Sequence, residues 1–348
     1  MSVLIYKYLR LTSNKVSQKF WCSSLPQQVT NKNIAKVVNV AIIGAPNSGK
    51  STLINKILNR KVCAASNKVH TTTKLTRAIC YENDTQIIFL DTPGVVSNKE
   101  QKKYKLPDAM MSACEKSLRC ANVIGVVHDI SNRWTKDSLH SDVLCMLSMA
   151  TDIPSFLIIN KIDRIKSKKQ LLTTISNLTN GVIAGNPIPR AGPRHDPNSP
   201  IQGYSNFSDV FLVSALNGDG VNDIKEYLVN NSKPANQQYP SDMWTDQTPE
   251  SLIEEAVRAK FLDFLAQEIP YNLTTQLEYY EELVEENKVI CSVSVECPSE
   301  RIMTLVSGAG GGRLQQIKSY VRNDLIDMLQ KSVIIDIKLR VKSKPSTD

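Results

Sequence analysis

Between residues 37 and 213 the chain alternates short apolar runs with amphipathic stretches. Positions 37–43, 86–90, 123–130, 156–160 and 210–213 are runs of strand length that are apolar at most positions, as expected of strands buried on both faces. Helical spacing falls between them, at 50–59, 107–119, 136–150, 166–178 and 219–231. This alternation predicts an α/β fold, a doubly wound and mostly parallel sheet whose ligands sit at the carboxyl ends of its strands. Residues 180–208 are rich in Pro, Gly, Asn and Ser without periodicity and read as a long surface insertion. Pro234, Pro240 and Pro249 mark a linker, placed at 234–248.

A different pattern follows, over about 249–344. Ile253, Ala256, Val257, Phe261, Phe264 and Leu265 have helical spacing. Two strands at 274–283 and 289–296, a short helix at 299–306, a longer one at 312–329 and a last strand at 332–341 complete the unit. Gly308-Ala309-Gly310-Gly311 lies between the last two helices. The order α-β-β-α-α-β with a G-x-x-G loop resembles an α+β KH domain of the second type, which clamps about four nucleotides of single-stranded RNA. The expected contacts are Gly308, Ala309, Gly310, Gly311, Arg313 and Lys318. The loop departs from the usual pattern, because Ala309 and Gly310 stand where a basic residue is common. Lys318, Arg322, Lys331, Lys338, Arg340 and Lys342 lie nearby, and sequence leaves open whether they face RNA or solvent.

Charge adds a third region. The net charge is +8 over 348 residues, and no Asp or Glu precedes Glu82. Residues 1–36 carry Lys7, Arg10, Lys15 and Lys19 among Leu4, Ile5, Tyr8, Leu9, Leu11 and Val16, the pattern of a mitochondrial transit peptide. A basic tail that binds RNA weakly is the competing reading. The eight cysteines contain no C-x-x-C pair, which disfavours a disulfide framework or zinc site and fits a reducing compartment. No apolar run approaches the ~20 residues of a membrane helix.

Three motifs fall at predicted strand ends within 37–233. Gly44-Ala45-Pro46-Asn47-Ser48-Gly49-Lys50-Ser51, followed by Thr52, is a phosphate-binding loop opening a helix. Its N–H groups and Lys50 face phosphates, and Ser51 offers a hydroxyl to Mg2+. Asp91-Thr92-Pro93-Gly94 places a carboxylate near that ion and a backbone N–H, from Gly94, near the terminal phosphate. Asn160-Lys161-Ile162-Asp163 reads a base by hydrogen bonding, because the Asp163 carboxylate can accept both donors on the guanine edge, a pair adenine lacks. Lys161 is expected across the base. Ser214-Ala215-Leu216, after the last strand, is expected to add a backbone N–H to the guanine oxygen. One threonine of the run Thr71-Thr72-Thr73 is expected to close the Mg2+ shell.

Together these imply GTP and GDP binding with hydrolysis, in which Lys50 and Gly94 act on the phosphates and Ser51, Asp91 and one threonine of the run hold Mg2+. Val95 stands where many GTPases carry a water-orienting glutamine, so turnover is expected to be slow. Asn160 and Asp163 disfavour a P-loop ATPase or kinase. A non-catalytic RNA-binding scaffold with a structural nucleotide site is the main alternative.

These residues resemble the Era family of GTPases, over about 37–344. Gly44, Pro46, Asn47, Gly49, Lys50, Ser51, Thr52, Leu53 and Asn55 match its loop form, Thr71 and Thr72 its paired threonines, and Tyr239-Pro240, Asp242, Thr245-Asp246, Glu255, Arg258, Lys260, Glu268 and Pro270-Tyr271 its linker. The resemblance assigns the Mg2+ ligand to Thr72 and an activating K+ to Asn47. With the transit-like start it implies a monomeric factor of the mitochondrial matrix, peripheral to the inner membrane if it meets it. Its implied partners are small-subunit ribosomal RNA near the 3′ end and the assembling mitochondrial small ribosomal subunit.

Overall fold

The computed structural model describes residues 35–64, 76–92, 117–165, 169–188, 203–266 and 268–342. Outside these lie the presumed transit peptide 1–36 except its last two residues, the threonine run with Thr72, Pro93, Gly94, Val95, most of the helix expected at 107–119 and the middle of the insertion.

The first sheet begins with β1 (Lys36–Ile43), whose chain turns through the glycine loop into α1 (Lys50–Leu58). β2 (Thr76–Glu82) and β3 (Thr85–Asp91) form an antiparallel hairpin around Asn83, which has a positive φ of 53°. β4 (Val123–Asp129), α2 (Ser141–Met149), β5 (Ser155–Asn160) and α3 (Lys169–Leu178) follow. A two-residue hairpin, β6 (Val182–Ile183) and β7 (Asn186–Pro187), starts the insertion, and β8 (Phe207–Leu212) and α4 (Val221–Asn230) end the unit. The strand order is β2-β3-β1-β4-β5-β8, all neighbours parallel except β2 and β3. β3 and β5 are buried at every position, as their unbroken apolar runs predict.

β2 went unread in the sequence. Thr76-Arg77-Ala78-Ile79-Cys80-Tyr81-Glu82 mixes polar and apolar residues because it lies at the end of the hydrogen-bonded strand order, with one face less buried. The linker packs against this strand. After β9 (Lys233–Pro234) pairs with the start of β1, it runs beside β2. Ile79 N donates to Trp244 O at 2.9 Å, Arg77 pairs with Asp246 at 2.7 Å, and Tyr81 Oη donates to Tyr239 O at 2.7 Å. It therefore covers an edge strand whose backbone groups need partners.

The C-terminal unit contains α5 (Pro249–Phe264), β10 (Thr274–Leu283), β11 (Lys288–Cys297), α6 (Glu300–Ser307), α7 (Gly312–Leu329) and β12 (Ser332–Val341). Thr248 caps α5, its side chain accepting from Ser251 N, with Pro249 in the first turn. β10 and β11 are antiparallel, β11 and β12 parallel. Val289, Cys291, Val293 and Val295 alternate along β11 and meet Ile253, Val257, Ile317, Val321 and Leu325 in one core. The two units meet where α1 ends. The Arg60 guanidinium donates to Met328 O from Nε at 3.1 Å and Nη2 at 2.8 Å, and stacks 3.9 Å from the centre of the Trp244 ring. Asp324 on α7 bridges Lys61 at 2.6 Å and Lys260 at 3.0 Å.

Candidate nucleotide site and nucleic-acid loop

β1, β3, β4 and β5 all deliver their carboxyl ends to one side of the sheet. There the loop 44–49 wraps the start of α1. Lys50, only 7% exposed, donates from Nζ to Gly44 O and Ala45 O, both at 3.1 Å, so its ammonium is held over the loop. Gly49 has φ +97°, and a Cβ there would lie 2.3 Å from Asn160 Nδ2. Only glycine permits both the turn and that approach.

Ser51 Oγ donates to Asp91 Oδ2 at 2.9 Å. A hydroxyl and a fully buried carboxylate at this distance form an all-oxygen donor pair, which fits Mg2+. When bound, that ion neutralises charge on the phosphates. Thr92 instead donates to Ile42 O at 2.7 Å, tying the end of β3 to β1. The thiol of buried Cys63 lies against Asp91, and burial with that negative neighbour pushes its pKa well up. Asn55 holds the same segment, accepting from Val62 N and Cys63 N and donating to Cys63 O, each at 2.8 Å.

The structure adds a second task to the base-reading motif. Asn160 is 1% exposed and its carboxamide bridges two loops: Nδ2 donates to Ser48 O at 2.8 Å, and Oδ1 accepts from Ala215 N at 3.0 Å. It ties the phosphate loop to the 214–216 loop with one of its two Nδ2 hydrogens, which leaves the other for a base. Asp163 is exposed, and its Oδ1 accepts from Ser214 Oγ at 2.7 Å, which aims the carboxylate. Leu216 is also exposed. Lys161 has φ +65° and donates from Nζ to Asn47 O and to Asp129 Oδ2, both at 2.7 Å.

Asp129 lies outside all three motifs. Burial works to raise its pKa, but hydrogen bonds from Lys161 and Ser131 outweigh that and hold the carboxyl below its ordinary range. The available signal was an acid at the end of an apolar run. In register it faces Asn160 across β4 and β5.

In the C-terminal unit the 308–311 loop joins α6 to α7. Gly308 has φ +77°, and a Cβ there would meet Arg313 Cβ at 2.7 Å. Gly310 has φ +57° with open space around it. The two basic residues expected to touch RNA have protein partners. Arg313 Nη1 donates to Leu305 O at 2.6 Å, and Lys318 pairs with Asp336 at 2.9 Å. Arg322 donates to Val333 O, Lys331 pairs with Glu282, and Lys338 and Arg340 both reach Glu278. Lys318, Lys331, Lys338 and Arg340 thus have carboxylate partners within the fold, Lys338 and Arg340 sharing one, while Arg313 and Arg322 are held by neutral carbonyls and keep their charge. Among the described residues no helix is long and apolar enough to cross a membrane, no cluster of His, Cys, Asp or Glu could hold a metal ion, and Cys63, Cys80, Cys120, Cys145, Cys291 and Cys297 are free.

Comparison with known proteins agrees with this geometry. Residues 39–161 match a family model described as a 50S ribosome-binding GTPase. The mitochondrial GTPase Era of Salmo salar is 34% identical, over 91% of this chain and 78% of its own length. That of Danio rerio is 33% identical over 91% and 77%. A crystal structure of Era in complex with MgGDPNP and nucleotides 1506-1542 of 16S ribosomal RNA superposes with a TM-score of 0.73 at 26% identity, covering 89% of this chain and 95% of that one. With 91% of the chain matched at 33–34% identity to these relatives, the chain belongs to the Era family of GTPases.

Proposed function

We propose that this protein is a mitochondrial GTPase that binds small-subunit ribosomal RNA near its 3′ end and assists assembly of the mitochondrial small ribosomal subunit. The observation that carries the reading is the joining of one nucleotide site and one G-x-x-G loop by a pinned linker. Lys50, the 44–49 amides, Ser51 and Asp91 would hold Mg2+ and the phosphates; Asp163, steadied by Ser214, would select guanine. Thr72 and Gly94 are assigned to the metal shell and the terminal phosphate by resemblance, and K+ beside Asn47 rests on the same ground. The relatives support the RNA and the organelle: two are named mitochondrial, and the solved Era carries a 16S fragment. The reading takes 1–36 as the import signal, 37–233 as the GTPase domain, 234–248 as linker and 249–344 as the KH domain. It places a monomer in the matrix, with any membrane association peripheral.

Single-turnover GTP hydrolysis tests it, with and without a single-stranded RNA carrying the 3′ end of small-subunit ribosomal RNA. Slow Mg2+-dependent hydrolysis and RNA binding by the same chain are expected. RNA binding without any hydrolysis would favour the scaffold reading.

A further inference from the structure

Lys161 is the residue expected to lie across the guanine base, yet a lysine stem has four rotatable bonds and lies flat only if its ammonium is anchored. The anchor is visible. Nζ sits between Asn47 O of the phosphate loop and Asp129 Oδ2 at the end of β4, 2.7 Å from each. The second anchor is itself fixed. Asp129 Oδ1 accepts from Ser131 N at 2.8 Å and Ser131 Oγ at 2.6 Å, so the two carboxylate oxygens have separate tasks. One closes the turn after β4, and the other holds the lysine. The Lys161 and Asp129 side chains are 24% and 22% exposed, so solvent screens the contact only partly. Because Lys161 Nζ also grips Asn47 O, the same contact steadies the backbone of the phosphate loop.

We propose that Asp129 is a positioning residue for guanine-nucleotide retention: it holds Lys161 across the base and, through Lys161, the phosphate loop at Asn47. The bland alternative is that Asp129 only caps the turn at Ser131. The divided oxygens separate the two. Asp129→Asn keeps a carbonyl to accept from Ser131, but puts an amide where the lysine's counter-charge stood. The inference rests on Lys161 lying at the base, so its test includes that residue.

The experiment measures dissociation of a fluorescent N-methylanthraniloyl GDP from the full chain, chased with excess GDP. Asp129→Asn should speed release about fivefold, the size expected of one partly screened charge-assisted hydrogen bond. Lys161→Met should speed it at least as much. In the Lys161→Met background, Asp129→Asn should add almost nothing, because the group it acts through is gone. A merely structural Asp129 would give the same factor in both backgrounds, and that result overturns the proposal. If Lys161→Met alone leaves release unchanged, the placement of Lys161 at the base falls first. If Lys161→Met speeds release and Asp129→Asn does not, only the role of Asp129 falls. Ser131→Ala covers the case in which Asp129→Asn does not fold. It loosens the carboxylate without removing charge and should speed release about twofold, again only when Lys161 is present; no effect, or an equal effect in both backgrounds, counts against the proposal.

Discussion

The two candidate binding regions are built on opposite principles. At the nucleotide site the side chains carry the recognition, and each is oriented by another: Ser214 aims Asp163, Asp129 holds Lys161, and Asn160 ties two loops together. At the 308–311 loop there is almost no side chain to orient. Its backbone is offered bare, while Arg313, Lys318, Lys331, Lys338 and Arg340 are engaged within the fold. A side-chain site selects one base by matching donors to acceptors. A backbone site tolerates many sequences and needs close approach, which a Cβ would obstruct. The contrast suits a molecule that must recognise one nucleotide strictly and a strand of RNA by shape.

Asp163→Asn should break the first half hardest. GTP affinity should fall by about 10³- to 10⁴-fold, since the guanine donors lose a charged acceptor, and xanthosine nucleotides should bind better. Isothermal titration checks this, and RNA affinity should hold. A GTP loss of less than tenfold would mean that Asp163 does not read the base.

Gly310→Asp with Gly311→Asp is the matching break in the second half. It should lower RNA affinity by about 100-fold while GTP affinity holds. A Cβ at Gly310 meets nothing within 4 Å and one at Gly311 meets Ser307 Oγ at 3.8 Å, so there is no packing clash, but φ is +57° and +75° at the two positions, so Gly310→Asn with Gly311→Asn serves as the control for backbone strain without added charge. Unchanged crosslinking to small-subunit RNA would move the RNA contact elsewhere.

The joint between the halves is tested by Asp324→Ala. It strands Lys61 and takes from Lys260 the nearer of its two carboxylates, Asp324 at 3.0 Å against Asp263 at 3.9 Å, and should cost about 2–3 kcal/mol of stability by denaturant unfolding. A loss within about 0.5 kcal/mol would show that the joint does not couple the units' stability.

The smallest effect tests the ion pairs around this loop. Lys338→Ala should change RNA affinity less than about twofold, and the salt dependence should be shallow, with fewer than about three phosphates' worth of counterion release. A steep slope would mean that the internal ion pairs open to meet RNA.

Much of this was legible from the chain alone, for local reasons. Five strands of the first sheet and all three of the second follow from apolar runs or alternation, and α7 and β12 occupy the positions their spacing predicts. The phosphate loop, Asp91 and Asp163 follow because their chemistry requires particular residues at short, fixed spacings beside a strand end. The reading missed β2 because an edge strand lacks a continuous apolar signature, and the linker's pairing with β2 left no trace because prolines do not announce a partner strand.

What only the tertiary structure decided is pairing at long range. That Asn160 ties the phosphate loop to the 214–216 loop depends on Ser48 and Ala215, at 112 and 55 residues' separation. That Asp129 belongs to Lys161 depends on β4 lying beside β5 in register. That Lys331, Lys338 and Arg340 find carboxylates depends on β10, which brings Glu278 and Glu282 to them. Backbone geometry and turn chemistry act over a few residues and leave a trace in the sequence. The partner of a charge is set by sheet order and register, which arise when the whole core packs, and nothing in the neighbouring residues encodes it.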